Sequence, residues 1–158
     1  MVADLAIDTQ GQMQCVTFEL EGETYGINVM QVQEVLRETE VAPVPGAPHY
    51  VIGIINLRGN VVSVIDARIR FGLSTIERSD ITRIIVIEAQ QQIIGILVDS
   101  VAEVVDIKMS DIETAPNVGN EESSRYIDGV VSRDEKLLIL VDLDKLLSDA
   151  EWGSISSI

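Results

Sequence analysis

The amino-acid sequence repeats itself over most of its length. Residues 25–36, YGINVMQVQEVL, match residues 94–105, IGILVDSVAEVV, without a gap and with an offset of 69 residues. A second gapless match joins YVIGIINLRGNVVSVIDARIRF, which starts at Tyr50, to YIDGVVSRDEKLLILVDLDKLL, which starts at Tyr126, with an offset of 76 residues. Two matches in the same order with similar offsets are hard to obtain from composition alone, and they indicate a tandem duplication.

The repeated unit has the pattern of a small β module. Short β-rich runs separated by turn signals such as LEGET, LRGN and SRDEK predict strands; they lie at residues 15–20, 25–29, 51–57, 61–65, 82–88, 93–98, 127–132 and 137–141. Helical pattern is limited to MQVQEVL, DARIRF and LDKLLSD. We therefore expect a mainly β protein in which each copy forms a five-stranded barrel, because closure removes exposed strand edges.

The duplication predicts the domain organisation. We expect a flexible N-terminal segment over 1–13, a first subdomain over 14–80, a second over 81–150, and a loose tail over 151–158 that contains Trp152. The sequence leaves open whether strands exchange between the two copies. A module of about 70 residues is only marginally stable alone, so the two subdomains should share an apolar seam.

Charge and composition exclude several classes of partner. The chain of 158 residues has 26 acidic and 11 basic residues and a formal net charge of −15, which repels nucleic acid and anionic membrane surfaces. Its longest apolar runs, such as IIGILV, are far shorter than the roughly 20 residues of a membrane-spanning helix. Cys15 is the single cysteine, which suits a reducing cytoplasm. We expect neither export, nor direct membrane insertion, nor binding to nucleic acid.

Residues that could support catalysis are scarce. His49 is the only imidazole, and HExxH, CxxC and P-loop motifs are absent from the sequence, so we predict no catalytic residue, no metal and no cofactor. Asp66, Asp99 and Asp142 each end an apolar run. A small metal-dependent hydrolase or phosphatase built on these aspartates is the alternative, although strand ends are where any chain becomes polar.

The turn LRGN places a cation, Arg58, where the fold does not need one, because the matching position in the second copy is Asp134. Arg58 is therefore either an idle surface cation or the functional residue of this turn. Val29, Val32 and Val35 follow at intervals of three residues. This spacing is compatible both with core positions and with one edge of an apolar groove.

Together these segments resemble a known family. The run INLRGNVVSVIDARIRFG, the upstream YGINVMQVQEV, the segment GILVDSVAEVV and the closing LLILVDLDKLL are similar to the CheW family of bacterial chemotaxis coupling proteins, from about residue 14 to 148. The sequence departs from the family pattern at Ser63, where proline is usual, and at Ala67, where leucine is usual. Neither departure touches the turn at Arg58.

The resemblance implies two SH3-like five-stranded barrels and a non-catalytic adaptor in the cytoplasm. Such an adaptor holds the regulatory domain of the histidine kinase CheA to the tip of methyl-accepting chemoreceptors in membrane receptor arrays. The implied receptor-binding residues are Val29, Val32, Glu34, Val35, Arg58 and Val101. Among them, we predict that Arg58 is an orienting cation at the receptor site and that Glu34 is its partner. We expect the kinase at the barrel ends, with no particular residue assigned. A coupling protein of a pilus-motility or other chemosensory-like pathway is the alternative.

Overall fold

The computed structural model describes residues 11–37, 39–114 and 125–156, which form ten strands and a few short helices. The strands are β1 (Gln12–Leu20), β2 (Glu23–Asn28), β3 (Val32–Leu36), β4 (Val51–Leu57), β5 (Asn60–Asp66), β6 (Arg83–Ala89), β7 (Gln92–Val98), β8 (Ser100–Lys108), β9 (Ile127–Arg133) and β10 (Lys136–Val141). The α-helices are α1 (Ala67–Arg70) and α2 (Asp149–Ser156), and 3₁₀ helices span Val29–Gln31, Met109–Asp111 and Leu143–Lys145.

The ten strands form two five-stranded, barrel-like sheets of identical design. The first sheet has the order β8-β1-β2-β10-β9 and the second the order β3-β6-β7-β5-β4. In each sheet a hairpin from one copy pairs in parallel with the last strand of the other copy: β2 with β10, and β7 with β5. The two copies therefore exchange their hairpins: β6 and β7 join the strands of the first copy, and β1 and β2 join those of the second. For this reason the boundary between the sheets does not fall at residues 80 and 81.

Equivalent positions in the two copies have equivalent surroundings. A Cβ atom on Gly26 would lie 3.4 Å from Cys15 and 3.3 Å from Leu140, in a strand between an antiparallel and a parallel neighbour. A Cβ atom on Gly95 would meet Ile84 at 2.9 Å and Val64 at 3.4 Å, which are the residues that the two offsets match to Cys15 and Leu140. The structure confirms the duplication and the fold that it predicted.

Two strands escaped the sequence analysis, and they are equivalent to each other. The register of β3 against β6 shifts between Val32 and Glu34, and that of β1 against β8 shifts between Val16 and Phe18. Each shift is a β-bulge, which disrupts the alternation of side chains on which strand prediction depends. The predicted helix at MQVQEVL is therefore wrong. Only its first two residues lie in a 3₁₀ helix, and the other five form β3.

The connectors that follow the bulged strands cover the edges of β4 and β9. Ala42 pairs with Ile54 and Glu113 pairs with Val130 through isolated bridges. Each connector crosses its strand very close to a glycine. A Cβ atom on Gly53 would lie 2.2 Å from the carbonyl oxygen of Ala42, and one on Gly129 would lie 2.7 Å from that of Glu113. Glycine at these two positions is therefore part of how each sheet edge is closed.

Apolar side chains form one core inside each sheet and a larger shared one. Cys15 and Leu140 belong to the core of the first sheet, and Val64 and Ile84 to that of the second. The shared cluster contains residues of both sheets; they include Phe18, Ile27, Ile65, Ile85, Ile96 and Tyr126. This cluster is the apolar seam that the small size of each module predicted.

The C-terminal segment corrects the predicted loose tail. Residues 149–156 form α2, and Trp152 is 4% exposed within the shared cluster. Ser148 and Glu151 form a capping box: the Ser148 N–H donates to Glu151 at 2.7 Å and the Glu151 N–H donates to Ser148 Oγ at 3.2 Å. The guanidinium of Arg70 also binds Glu151, which ties the helix to α1.

The N-terminal prediction needs a smaller correction. β1 begins at Gln12 and buries Met13, so the last residues of the predicted flexible segment 1–13 belong to the first sheet. Residues 1–10 lie outside the described part of the chain.

Candidate functional site

The turn between β4 and β5 positions Arg58. Arg58 and Gly59 have φ values of 50° and 88°, which is the pattern of a two-residue type I′ turn, and the Gly59 N–H donates to Asn56 Oδ1 at 2.9 Å. The first turn residue of the other three two-residue hairpins, Glu21, Gln90 and Asp134, also has a positive φ. The backbone at Arg58 is therefore ordinary for this fold, and the side chain is what distinguishes the turn.

The bulge in β3 brings Glu34 to that turn. Arg58 Nη1 donates to Glu34 Oε1 at 3.3 Å and Nη2 donates to Oε2, so the guanidinium binds the carboxylate through two parallel hydrogen bonds. The hydrogen bond from Arg58 lowers the pKa of Glu34, and its counterpart raises the pKa of Arg58. The predicted pairing of these residues is confirmed.

The pair remains accessible in the free chain. The Arg58 side chain is 71% exposed and that of Glu34 27% exposed. Arg58 has five N–H groups and uses part of them on Glu34, so it retains donors for a partner's oxygen atoms. The arrangement is an oriented cation at the surface, whose small contribution to folding is expected for an exposed ion pair.

The predicted valines divide into two groups. Val29, Val32 and Val101 are half-buried and pack against the shared cluster, whereas Val35 is 41% exposed. Val32 and Val101 are equivalent positions of the two copies, which the offset of 69 residues already matched. The structure therefore places three of the four valines along the seam and Val35 farther along β3, on the strand that also carries Glu34.

The equivalent region of the first sheet has different chemistry. Glu103 and Asp134 stand where the second sheet has Glu34 and Arg58, and these two carboxylates cannot form the same ion pair. They line a cavity of about 270 Å³ at the end of the sheet, together with Thr17, Arg133 and other residues. Equivalent positions of the two sheets therefore form two different surfaces: an ion pair at Arg58 on the second sheet and an open, charged cavity on the first.

The strand-end aspartates have structural partners. Asp66 accepts the Arg68 N–H at 2.8 Å, and Asp142 accepts the Asp144 N–H at 3.0 Å, each at the start of a short helix. Asp99 binds the guanidinium of Arg68 through Nε at 2.7 Å and Nη2 at 2.6 Å. Burial raises the pKa of Asp66, whereas the hydrogen bond from Arg68 lowers that of Asp99.

These contacts give no support to a metal-dependent hydrolase. Within residues 11–37, 39–114 and 125–156, no three histidine, cysteine or acidic side chains are grouped so that they could hold a metal ion. Burial raises the pKa of the Cys15 thiol to about 12, which leaves it unreactive near neutral pH. His49 is exposed, and its ring centroid lies 5.6 Å from that of Tyr50 in an edge-on arrangement.

The two departures from the family pattern are accommodated inside the fold. Ser63 is paired with Ile54 of β4 and Ile94 of β7, so it lies in the middle of the sheet, where its N–H is available to the strand ladder. Ala67 begins α1 and is 2% exposed.

The fold and the site together define a duplicated β-sheet scaffold domain with an oriented surface cation beside a half-buried apolar seam. A family model described as the CheW-like domain matches residues 14–151. The chain belongs to the CheW-like family of chemotaxis scaffold proteins.

Individual relatives agree with this membership. The chain is 34% identical to the chemotaxis protein CheW of Klebsiella aerogenes, over 99% of this chain and 94% of that protein. It is 35% identical to CheW of Bacillus subtilis, over 84% and 85% of the two chains. The crystal structure of the scaffolding protein TtCheW from Thermoanaerobacter tengcongensis covers 85% of this chain, which in turn covers 91% of TtCheW, with a TM-score of 0.78 and 35% identity.

Among the described residues, no helix has the length and apolar character that crossing a bilayer requires.

Proposed function

We propose that this chain is a non-catalytic adaptor that couples methyl-accepting chemoreceptors to the histidine kinase CheA. Membership of a chemotaxis scaffold family supports the pathway. The observation that carries the receptor contact is the exposed, bidentate pair of Arg58 and Glu34, held by a bulge and a tight turn. The adaptor acts in the cytoplasm and is recruited to membrane receptor arrays through this contact.

The receptor site combines that pair with the seam valines. Val29, Val32 and Val101 offer a partly exposed apolar strip, and Val35 adds an exposed contact on β3. A receptor tip is a helical hairpin, and an amphipathic helix binds a protein through an apolar groove with polar groups at the rim. Arg58 fixes the orientation of the helix by donating hydrogen bonds to its side-chain or backbone oxygens.

The kinase contact lies at the barrel ends, away from the receptor site. The end of the first sheet is open and lined by charged side chains, including Arg133 and Lys136. An end of this kind can receive a regulatory domain without covering Arg58. If the regulatory domain of the kinase competes with the receptor tip for the Arg58 site, this part of the proposal is wrong.

The receptor contact is tested with the variants Arg58→Ala, Arg58→Lys and Glu34→Ala, and Lys108→Ala serves as a control at an exposed cation of the first sheet. Binding to a purified receptor-tip fragment and to the kinase regulatory domain is measured by calorimetry. Receptor binding desolvates the pair, so Arg58→Ala should weaken it by roughly 30-fold or more. Kinase binding and thermal stability should stay near those of the wild type.

Lysine at position 58 should not restore full affinity, because an ammonium group cannot reproduce the two parallel bonds of the guanidinium. Normal receptor binding by Arg58→Ala would remove the residue from the site. A loss of receptor binding, kinase binding and stability together would instead make Arg58 part of the scaffold.

A further inference from the structure

Three arginine side chains converge at one end of the second sheet. Arg37 follows β3, Arg83 begins β6, and Arg78 belongs to the connector before β6. All three line one shallow depression that also contains Thr39 and Thr82. In a chain with only 11 basic residues and a net charge of −15, such a concentration of positive charge needs an explanation.

Two of these arginines lie at the adjacent ends of neighbouring strands. Leu36 pairs with Ile84, and Arg37 and Arg83 are the next residues beyond that pair. Like charges that are close together on neighbouring strands repel each other. Sheet stability therefore does not explain two cations at this end.

The hydrogen bonds of Arg78 and Arg83 go to backbone carbonyl oxygens, which orient the guanidinium groups but do not neutralise their charge. Arg78 Nη1 donates to the carbonyl oxygen of Thr39 at 3.2 Å, and Arg83 Nη1 donates to the carbonyl oxygens of Asp80 at 2.8 Å and Thr82 at 2.9 Å. In the described part of the chain, none of the three forms an ion pair with a carboxylate. Arg58, Arg68 and Arg70, by contrast, each bind a carboxylate through two nitrogen atoms.

The first sheet shows that the fold does not require these charges. The positions that match Arg37 and Arg83, by the offset of 69 residues, are Asp106 and Gln14, and these two residues pair in the β1–β8 register. These two backbone positions thus carry a neutral and an acidic residue in one copy and two cations in the other. A structural need would apply to both copies.

Apolar side chains close to Arg78 and Arg83 in the sequence indicate what kind of ligand would fit. Ile81 is 60% exposed and Ile76 is 56% exposed, and both belong to the same connector as Arg78. A small inorganic anion would leave these isoleucines uncovered. Protein interfaces, by contrast, are enriched in arginine and bury large apolar side chains at their centres.

We propose that Arg37, Arg78 and Arg83, with Ile76 and Ile81, form an arginine patch that binds an acidic, partly apolar surface of a polypeptide partner. The carboxylates of the partner would bind the guanidinium groups in the bidentate manner that Glu34 shows with Arg58. Charge complementarity favours such a partner, because none of the three guanidinium groups is paired with a carboxylate of the described residues.

The arginine patch and the Arg58 site lie on the same pair of strands. Glu34, which holds Arg58, pairs with Val86, three residues along β6 from Arg83. Three residues of a strand span about 10 Å. The variants at Arg37 and Arg83 leave Arg58 and Glu34 unchanged, so binding at the arginine patch is measured with the Arg58 site intact.

The test uses the full chain and a synthetic probe. The probe is an 18-residue amphipathic helical peptide with glutamate on one face and leucine on the other, and the matched probe has glutamine in place of every glutamate. Amide chemical shifts are recorded by NMR during titration at constant ionic strength. We expect saturable shifts at Arg37, Thr82 and Arg83 with the glutamate peptide and at least tenfold weaker binding of the glutamine peptide.

The variants separate binding from folding. The double change Arg37→Gln and Arg83→Gln should weaken the glutamate peptide at least tenfold, whereas Arg125→Gln with Lys108→Gln, which removes the same charge from exposed residues outside the patch, should not. Arg37→Gln alone should leave the thermal midpoint unchanged or higher, because it relieves repulsion from Arg83. A lower midpoint would indicate a structural role and overturn the proposal.

Three further results would also overturn the proposal. The first is that the glutamate peptide produces no shifts at the arginine patch, or produces them elsewhere. The second is that the glutamine peptide binds as tightly as the glutamate peptide. The third is that inorganic pyrophosphate, titrated at the same ionic strength, saturates the patch while the peptide does not, which would identify a small oxyanion as the ligand.

Discussion

Replacing Gly53 by alanine should destabilise the chain severely, and the structure gives the reason. The new Cβ atom would lie 2.2 Å from the carbonyl oxygen of Ala42 and 2.8 Å from its carbonyl carbon, and a backbone φ of +154° is itself unfavourable for alanine. Ala42 can move away only by giving up two hydrogen bonds with Ile54, each of 2.8 Å. The crossing segment that covers β4 would then leave the sheet edge.

The expected magnitude combines these two effects. Overpacking a tight site costs about 1 to 3 kcal/mol, and the two lost hydrogen bonds contribute about 0.5 to 1.5 kcal/mol each. Gly53→Ala should therefore lower the free energy of unfolding by about 2 to 6 kcal/mol. Gly129→Ala should cost less, about 1 to 3 kcal/mol, because the nearest carbonyl oxygen would lie 2.7 Å from the added Cβ atom, compared with 2.2 Å at Gly53.

Equilibrium unfolding in urea, followed by far-UV circular dichroism, measures these differences. Gly46→Ala is the control, because that glycine also has a positive φ of 81° but has no atom within 4 Å of the added Cβ. If Gly53→Ala unfolds at the same urea concentration as Gly46→Ala, the close crossing does not stabilise the sheet edge. A larger cost at Gly129 than at Gly53 would also contradict the argument.

Three further predictions concern α2, the Asp99 pair and the buried thiol. Trp152→Ala should cost about 3 to 5 kcal/mol in urea unfolding, with the exposed Ser154→Ala as control; a cost near zero would mean that α2 is detached in solution. Arg68 holds the pKa of Asp99 below its ordinary 3.8, so the carboxylate stabilises the fold above that pH and the contribution disappears as the pH falls through the lowered value. Asp99→Asn should thus differ most from wild type at pH 6 and progressively less below about pH 3.8. Cys15, with a pKa of about 12, should react with iodoacetamide at pH 8 only after unfolding in urea, and rapid labelling of the folded chain would contradict its burial.

Much of the fold could be predicted because the duplication is visible in the residues themselves. Matching Gly26 to Gly95 and Tyr50 to Tyr126 was enough to predict two equivalent five-stranded units and a shared seam. The exchange of hairpins could not be predicted, because β6 and β7 present the same buried faces in either sheet. Only the parallel pairing of β7 with β5, which is a tertiary contact, decides between the two arrangements.

The C-terminal helix carried a sequence signal that could have been used. Ser148 and Glu151 have the spacing of a capping box, and Trp152 and Ile155 lie three residues apart on one face. A short helix with few apolar residues gives a weak periodic pattern, and its position at the end of the chain favoured a loose tail. Burial of Trp152 in the shared cluster is a tertiary effect that local pattern does not show.

The comparison of the two copies was more informative than either copy alone. It singled out Arg58 because Asp134 stands at the matching position, and the structure then showed the guanidinium on Glu34. This comparison of charge at equivalent positions did not depend on the type of turn.

The same comparison would have marked Arg37 and Arg83, since their equivalents are Asp106 and Gln14. What the sequence could not show is that these two arginines are neighbours, because 46 residues separate them and β3 was not predicted as a strand. A bulge therefore hid both the strand that carries Glu34 and the proximity of the two arginines at its far end. The other copy has Asp106 and Gln14 at the same backbone positions, so folding does not require two cations there. Two cations without a carboxylate partner among the described residues are the reason to look for an acidic partner at this end of the sheet.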